Sequence, residues 1–315
     1  MSIPRIDLRD YRQGDAATRS RFIQTLGDGL KDVGFLVVSG HGLDAEVIDR
    51  TYGMFRDFFA LPDDVKRKYD VVAGGARGYT PFGREHAKYT NVPDLKEFWH
   101  TGQELPEGHS LREEYPDNVW ANEMPDMKEY VVKLYRGFEE CASTLLTALA
   151  EYFEFPTDTF SKMMVDGNSI LRTIHYPPLS EDMPAGAVRA AAHEDINLIT
   201  LLIESQGAGL EILTQDNRWE PVHALEGDII VDSGDMLSRL CNGVIPATTH
   251  RVVNPAQGEN KSRYSMPFFV HPYSACDLTV MDHFVSEDRP AKWPPITAGA
   301  FLQQRLDEIG LSKKD

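Results

Sequence analysis

Between Ser169 and Val270 the chain is a succession of short strand-like runs: ILRTIHY, AVRAAAH, INLITLLIE, GLEILT, WEPV, DIIVD, TTHRVV and RYSMPFFV. Turn-forming stretches separate them, among them Gly207-Ala208-Gly209, Asp216-Asn217 and Asn242-Gly243. Short strands at such regular intervals, with no long helix between them, predict a sandwich or barrel. Only Gly234 to Cys241 leaves room for one or two helical turns.

The preceding half has a different texture. IPRIDL at 3–8 predicts a short strand, Ala16 to Asp32 an amphipathic helix, and the apolar run VGFLVVS at 33–39 a buried strand. A helix is expected over roughly residues 44–59, and Leu61-Pro62-Asp63-Asp64 reads as the cap of another short one. His41, in SGHGL, is expected to be a turn histidine bonded to backbone. Residues 73–93 are rich in Gly, Pro and Asn and lead into LKEFWH at 95–100. Mixed aromatic and polar residues in irregular connections often line clefts, which makes Tyr79, Phe82, Phe98 and His100 candidates for a pocket wall; ordinary packing is the competing expectation for each. Residues 102–125 read as a surface excursion. Met127 to Phe153 is the longest helical pattern, with Tyr130, Leu134, Phe138, Cys141 and Leu145 on one stripe, as in a helix backing a sheet. Pro156-Thr157-Asp158 is expected to cap a short helix to about Met164, and a last helix is expected from Thr297 to Ile309.

Composition narrows the function classes. The net charge of −17 disfavours nucleic-acid and anionic-membrane partners. No apolar run approaches the ~20 residues of a transmembrane helix, and MSIPRIDLRDY lacks the basic start and apolar core of a secretory signal. Cys141, Cys241 and Cys276 are far apart and odd in number, which predicts no disulfide framework and a reducing, cytoplasmic setting.

The chemistry-bearing residues sit among the predicted strands. Read at the two-residue period of a strand, His193, Asp195, Asn197, Ile199, Leu201 and Ile203 share one face. His193 and Asp195 would then lie about 6–7 Å apart at Cα, while Glu194 points the other way. His250, 55 residues beyond Asp195 in TTHRVV, is the third candidate ligand. Two imidazoles and one carboxylate on a β-scaffold form the donor set of a non-haem Fe(II) oxygenase site, with positions left open for substrate and dioxygen. Chance coincidence in a protein with 10 histidines is the plain alternative. Arg263 and Ser265 also share a strand face, and a guanidinium fork beside a hydroxyl matches a carboxylate. If Arg263 and His250 were on adjacent strands, the far end of that carboxylate's molecule would reach the metal, as a dicarboxylate keto acid would. A surface ion pair is the plain alternative for Arg263. Asp232 and Asp235 are expected at a turn and helix start rather than as ligands.

The ordered set LRTIHYPP (171–178), HED (193–195), GLEIL (209–213), GDIIVDSGDML (227–237), NG (242–243), HRVVNP (250–255) and RYSMPFF (263–269) resembles the isopenicillin N synthase-like family of Fe(II)- and mostly 2-oxoglutarate-dependent oxygenases. IPRIDL and VGFLVVSGHGLD resemble the N-terminal region of that family, so the likeness spans nearly the whole chain. It implies a mixed α and β fold: a double-stranded β-helix (jelly-roll) core with a long backing helix and additional N-terminal and C-terminal helices. It implies an N-terminal α/β region over residues 1–125 packed on a core of residues 126–315. His193, Asp195 and His250 would be the iron ligands, Arg263 and Ser265 would hold the distal carboxylate of 2-oxoglutarate, and Tyr176 matches a position that often contacts co-substrate or substrate. Arg172 occupies a place where an antibiotic-synthesising branch uses arginine, which points to substrate binding; a salt bridge at the strand end is the alternative. Many plant members carry Asn two residues before that Tyr, where this chain has Ile174, so one co-substrate contact is missing or supplied elsewhere. The implied activity couples oxidative decarboxylation of 2-oxoglutarate by O2, giving succinate and CO2, to hydroxylation, desaturation or cyclisation of a small organic substrate. The alternatives are a same-family Fe(II) oxidase using no 2-oxoglutarate, a cupin-like metal-dependent isomerase or hydrolase, and a barrel that only binds a ligand.

Overall fold

The computed structural model describes residues 3–72, 75–85, 92–180, 183–184, 186–206, 208–225, 227–256 and 259–308. The chain begins with β1 (Arg5–Asp7), α1 (Leu8–Gln13), α2 (Ala16–Asp32), β2 (Phe35–Ser39), α3 (Ala45–Phe59) and α4 (Asp63–Lys66). The Asp15 side chain accepts from Thr18 N and starts α2. The helix gives way to β2 at Gly34, whose φ of +74° suits glycine; any Cβ there would strike Thr248 Oγ1. His41 sits in the following turn, with Nε2 2.6 Å from Gly227 O and Nδ1 accepting from Leu43 N, a backbone-bonded histidine as expected.

Next come β3 (Gly78–Thr80), β4 (Glu97–Gly102) and the long α5 (Met127–Tyr152). After them follow β5 (Ile170–Tyr176), β6 (Ala190–His193), β7 (Ile199–Gln206), β8 (Leu210–Leu213), β9 (Trp219–Pro221), β10 (Ile229–Ser233), α6 (Asp235–Leu240), β11 (His250–Val252), β12 (Arg263–Val270) and α7 (Ala298–Glu308). The expected short helix ending at Met164 is a 3-10 turn over Ser161–Met164. The predicted last residue of the C-terminal helix, Ile309, lies outside the described residues.

Two sheets result, one of eight strands in the order β1-β2-β10-β7-β12-β5-β4-β3 and one of four in the order β6-β11-β8-β9. All pairings among them are antiparallel except β1 with β2. The N-terminal strands therefore extend the larger sheet, β2 against β10 and β4 against β5.

Apolar side chains separate into two bodies. The larger lies between the helices and the outer face of the big sheet, where the α5 residue Phe138 stacks on Phe268 of β12 at 5.2 Å. Leu134, Phe138, Cys141 and Leu145, all on the predicted stripe, are buried there, each large apolar side chain contributing roughly 1.5–3 kcal/mol by leaving water. The smaller body fills the space between the sheets with Phe35, Phe98, Ile174, Tyr176, Leu210, Ile212, Ile230 and Val252. Polar residues that enter this inner space form the candidate site. Among the described residues no helix is long and apolar enough to cross a membrane.

Candidate active site

β6 ends on His193 and β11 begins on His250, and the two are register partners in the smaller sheet. Their ring centroids are 4.4 Å apart. Asp195 is not on a strand. The strand face expected to run from His193 to Ile203 is broken at 194–198, where the carbonyls of Asp195, Ile196 and Leu198 accept from the start of α6. Asp235 N donates to Asp195 O (2.7 Å), Met236 N to Ile196 O (3.1 Å) and Gly234 N to Leu198 O (3.0 Å). Gly234 permits this approach, since a Cβ there would lie 2.4 Å from Asn197 O. The break also reverses the face parity predicted for the apolar residues. Ile199, Leu201 and Ile203 pack in the helix-side core, whereas Leu202 packs on the inner cluster and the side chain of Thr200 reaches Asp195.

Both histidines hold Nδ1 against a backbone carbonyl. His193 Nδ1 lies 2.7 Å from Ala191 O and His250 Nδ1 3.2 Å from Thr248 O. A carbonyl only accepts, so both Nδ1 atoms carry a proton, which leaves Nε2 as the atom that offers a lone pair when the ring is neutral. Each Nε2 is 3.8 Å from Asp195 Oδ1. One ligand atom from each of the three residues falls within 4.8 Å of the other two. Burial, followed by the neighbouring His193, pushes His250 down to about 4. Two imidazole nitrogens and a carboxylate converging in this way fit a divalent transition-metal ion. Glu194 turns away and accepts from Thr249 Oγ1 at 2.9 Å.

A second layer orients the carboxylate. Thr200 Oγ1 donates to Asp195 Oδ2, and Asn197 Nδ2 donates to Thr200 Oγ1 at 3.0 Å. Asp232, expected at a turn, is instead inside β10 as the register partner of Thr200. Burial and the adjacent Asp195 raise its carboxyl well above the usual range. Asp235 is the first residue of α6, as expected.

Arg263 and Ser265 are buried on β12, and Tyr176 and Ile174 are their respective register partners on β5. The Arg263 guanidinium lies 5.0 Å from the Tyr176 ring centre. Arg263 and His250 are not on adjacent strands; they belong to opposite sheets, with Ile174, Tyr176 and Val252 filling the space between them. A second buried guanidinium, Arg189 just before β6, feels the charge of Arg263, and its Nη2 donates to Lys261 O at 2.5 Å. This end of the inner space suits an anionic group.

Arg172 is on the β5 face shared with Ile174 and Tyr176 and makes the salt bridge expected as the alternative to substrate binding. Its Nη1 is 3.2 Å from Glu85 Oε2, the predicted salt bridge, and its Nε donates to His100 Nε2 at 2.5 Å. Its guanidinium lies over Phe98 (4.3 Å) and Phe269 (5.2 Å). Of the four pocket-wall candidates, Phe98 and His100 thus adjoin this inner face. Tyr79 packs on Phe58 and hydrogen-bonds Glu97 on the other side of the sheet, and Phe82 is exposed.

Residues 3–123 match the family description "non-haem dioxygenase in morphine synthesis N-terminal", and residues 167–272 match the "2OG-Fe(II) oxygenase superfamily". The proline hydroxylase buaE of Petromyces alliaceus is 30% identical over 322 residues, spanning 97% of this chain and 99% of that protein. Among solved structures, a 2OG-Fe(II) oxygenase family protein from Caulobacter crescentus shares 42% identity with a TM-score of 0.88, covering 98% of this chain and 99% of its own. A full-length Neurospora crassa protein solved in complex with alpha-KG shares 26% identity with a TM-score of 0.84, covering 97% of this chain and 96% of its own. Likeness in sequence and fold over almost the entire length, together with a His-Asp-His cluster where the two sheets meet, places this chain in the isopenicillin N synthase-like family of 2-oxoglutarate-Fe(II) oxygenases, and it is an Fe(II)- and 2-oxoglutarate-dependent dioxygenase.

Proposed function

We propose that His193, Asp195 and His250 hold Fe(II), that Arg263 and Ser265 hold the distal carboxylate of 2-oxoglutarate, and that Tyr176 contacts the co-substrate. The observation that carries this assignment is the convergence of two Nε2 lone pairs and one carboxylate, with both Nδ1 protons committed to backbone carbonyls. With its iron, 2-oxoglutarate and O2, the enzyme couples oxidative decarboxylation to hydroxylation, desaturation or cyclisation of a small organic substrate. The chain's own residues do the positioning. The carbonyls of Ala191 and Thr248 fix the imidazole rings, Thr200 turns the Asp195 carboxylate, and Arg263 and Ser265 supply donors for a carboxylate. Phe35, Ile212, Ile230 and Val252 keep water from the space between them. Arg172 contacts the primary substrate in this account.

The three cysteines are free and buried, which supports a reducing, cytoplasmic setting. A division near residue 125, with an N-terminal α/β region on a core of residues 126–315, fits the position of α5. Succinate formation by the purified protein tests the site assignment. It should require Fe(II), fail with Zn(II) in its place, and fall to background in Asp195→Ala, where only two imidazoles remain. Undiminished succinate formation by Asp195→Ala would refute the ligand set.

A further inference from the structure

The two candidate histidine ligands are carried by strands of unequal strength. β11 lies inside the smaller sheet, paired with β6 on one side and β8 on the other, and the His250 side chain is 10% exposed. β6 is an edge strand of that sheet, and the His193 side chain at its end is 35% exposed. The strand reads Ala190-Ala191-Ala192-His193, so three of its residues have little side chain to pack and a low strand preference. Its pairing with β11 is irregular, the register shifting between His250 and Val252. Such a strand is a weak hold for a metal ligand.

A segment of the N-terminal half supplies the hold that the sheet does not. Leu95 N donates to Val188 O at 3.1 Å just before β6, and Asp94 Oδ1 accepts from Ala191 N at 3.1 Å within it. The carbonyl of the same Ala191 accepts from His193 Nδ1 at 2.7 Å. A single alanine thus joins Asp94 to the imidazole ring. The other Asp94 oxygen accepts from Lys96 Nζ at 2.8 Å, and that ammonium also meets Glu85 Oε2 at 2.6 Å. The backbone brings the two acids together, since Asp94 N donates to Glu85 O at 2.9 Å. Glu85, Asp94 and Lys96 are all buried. Buried charges persist only where they are paired and hydrogen-bonded, so the ammonium keeps the Asp94 carboxylate in the one orientation that also reaches Ala191. Nothing else in the site assignment gives these three residues a task.

We propose that Asp94, kept in place by Lys96, is a positioning residue for His193: it fixes the backbone of Ala191, whose carbonyl fixes the imidazole. The N-terminal half then takes part in building the metal site as well as covering the core. This rests on the proposed iron site, and the test separates the two. Co(II), a spectroscopic substitute for Fe(II) in a site of nitrogen and oxygen donors, is titrated into the purified protein. Visible absorption gives the affinity, and the hyperfine-shifted ring N–H proton signals report each metal-bound imidazole. The unaltered protein should show two such signals, one from each histidine. In Asp94→Leu, close in shape but without an acceptor, affinity should fall about tenfold, the low end of the loss seen when a partner of a metal ligand is removed. One N–H signal should shift or vanish by exchange with water while the other stays. Asp94→Ser, too short to reach Ala191 N, gives the same reading where Asp94→Leu does not fold. Asp94→Asn, whose amide oxygen can still accept from Ala191 N, should recover most of the affinity and the signal. Glu85→Gln, which loosens Lys96 but leaves Asp94 on Ala191, should lower the urea midpoint with little change in affinity. Unchanged affinity and signals without the Asp94 acceptor, no recovery in Asp94→Asn, or a loss in Glu85→Gln as large as in Asp94→Leu would overturn the proposal while leaving the metal site intact. Failure of the unaltered protein to bind Co(II), or undiminished binding in Asp195→Ala, would instead remove the iron site on which it stands.

Discussion

Asp195 is held in place by neighbours that contribute nothing to a His-x-Asp motif. Its backbone is tied to α6 through Asp235 N and its carboxylate to Thr200, which β7 presents toward the inner space. Removing a hydrogen-bond partner of a ligating carboxylate or imidazole commonly weakens metal affinity by about 10–100-fold. Thr200→Val, close in shape but without a donor, should show a loss of that order in an Fe(II) titration, and Thr200→Ser should keep most of the affinity. Equal affinity in Thr200→Val would mean that the α6 clamp alone sets the carboxylate. The three candidate ligands were legible in the sequence because their chemistry is carried by residue type. Thr200 and Asp232 were not, since they meet Asp195 only after the chain leaves the strand at Glu194 and reverses its face parity.

The elements are stabilised on both faces of the large sheet. On the helix side, α5 is anchored on β12 by Phe138 and Tyr135 against Phe268. Phe138→Ala should cost about 3–5 kcal/mol, read as a lower urea midpoint with an unchanged slope; a loss under 1 kcal/mol would mean that the site collapses to fill the space. On the same side, Glu97 of β4 accepts from Lys66, Tyr79 and His175. Burial alone would raise its pKa, but the hydrogen bonds from His175, Lys66 and Tyr79 outweigh it and hold the carboxyl below its usual value. A carboxyl with a depressed folded-state pKa stabilises the protein above its unfolded value and loses that stabilisation as pH falls through the folded one. The stability advantage over Glu97→Gln should therefore be fullest near neutrality and shrink once the pH drops below about 4. An advantage that grew on acidification would contradict this sign. The stripe on α5 was readable because a helix buries one face at a fixed period. The role of Glu97 was not, because its partners come from α4, β3 and β5.

Across the whole molecule, evenly spaced short strands were enough to predict the sandwich, and the ordered motifs to predict its jelly-roll type. The sequence did not reveal that β1 and β2 complete the same sheet as the core strands. That depends on β2 pairing with β10, nearly two hundred positions away in the chain. It also did not reveal that Arg263 belongs to the sheet opposite the two candidate histidine ligands rather than to an adjacent strand, since pairing partners are set by topology and not by local pattern. What the assembled sandwich accomplishes is to bring three donor side chains together and to bury one cationic side chain in the opposite sheet. Anaerobic titration of the purified protein with Fe(II) and then 2-oxoglutarate, followed by visible absorption, tests that claim most directly. The account predicts tight binding of one iron and then a weak charge-transfer band that saturates with 2-oxoglutarate in the unaltered protein and is absent in Asp195→Ala. Iron bound without any band on adding the keto acid, or the same band in Asp195→Ala, would contradict it.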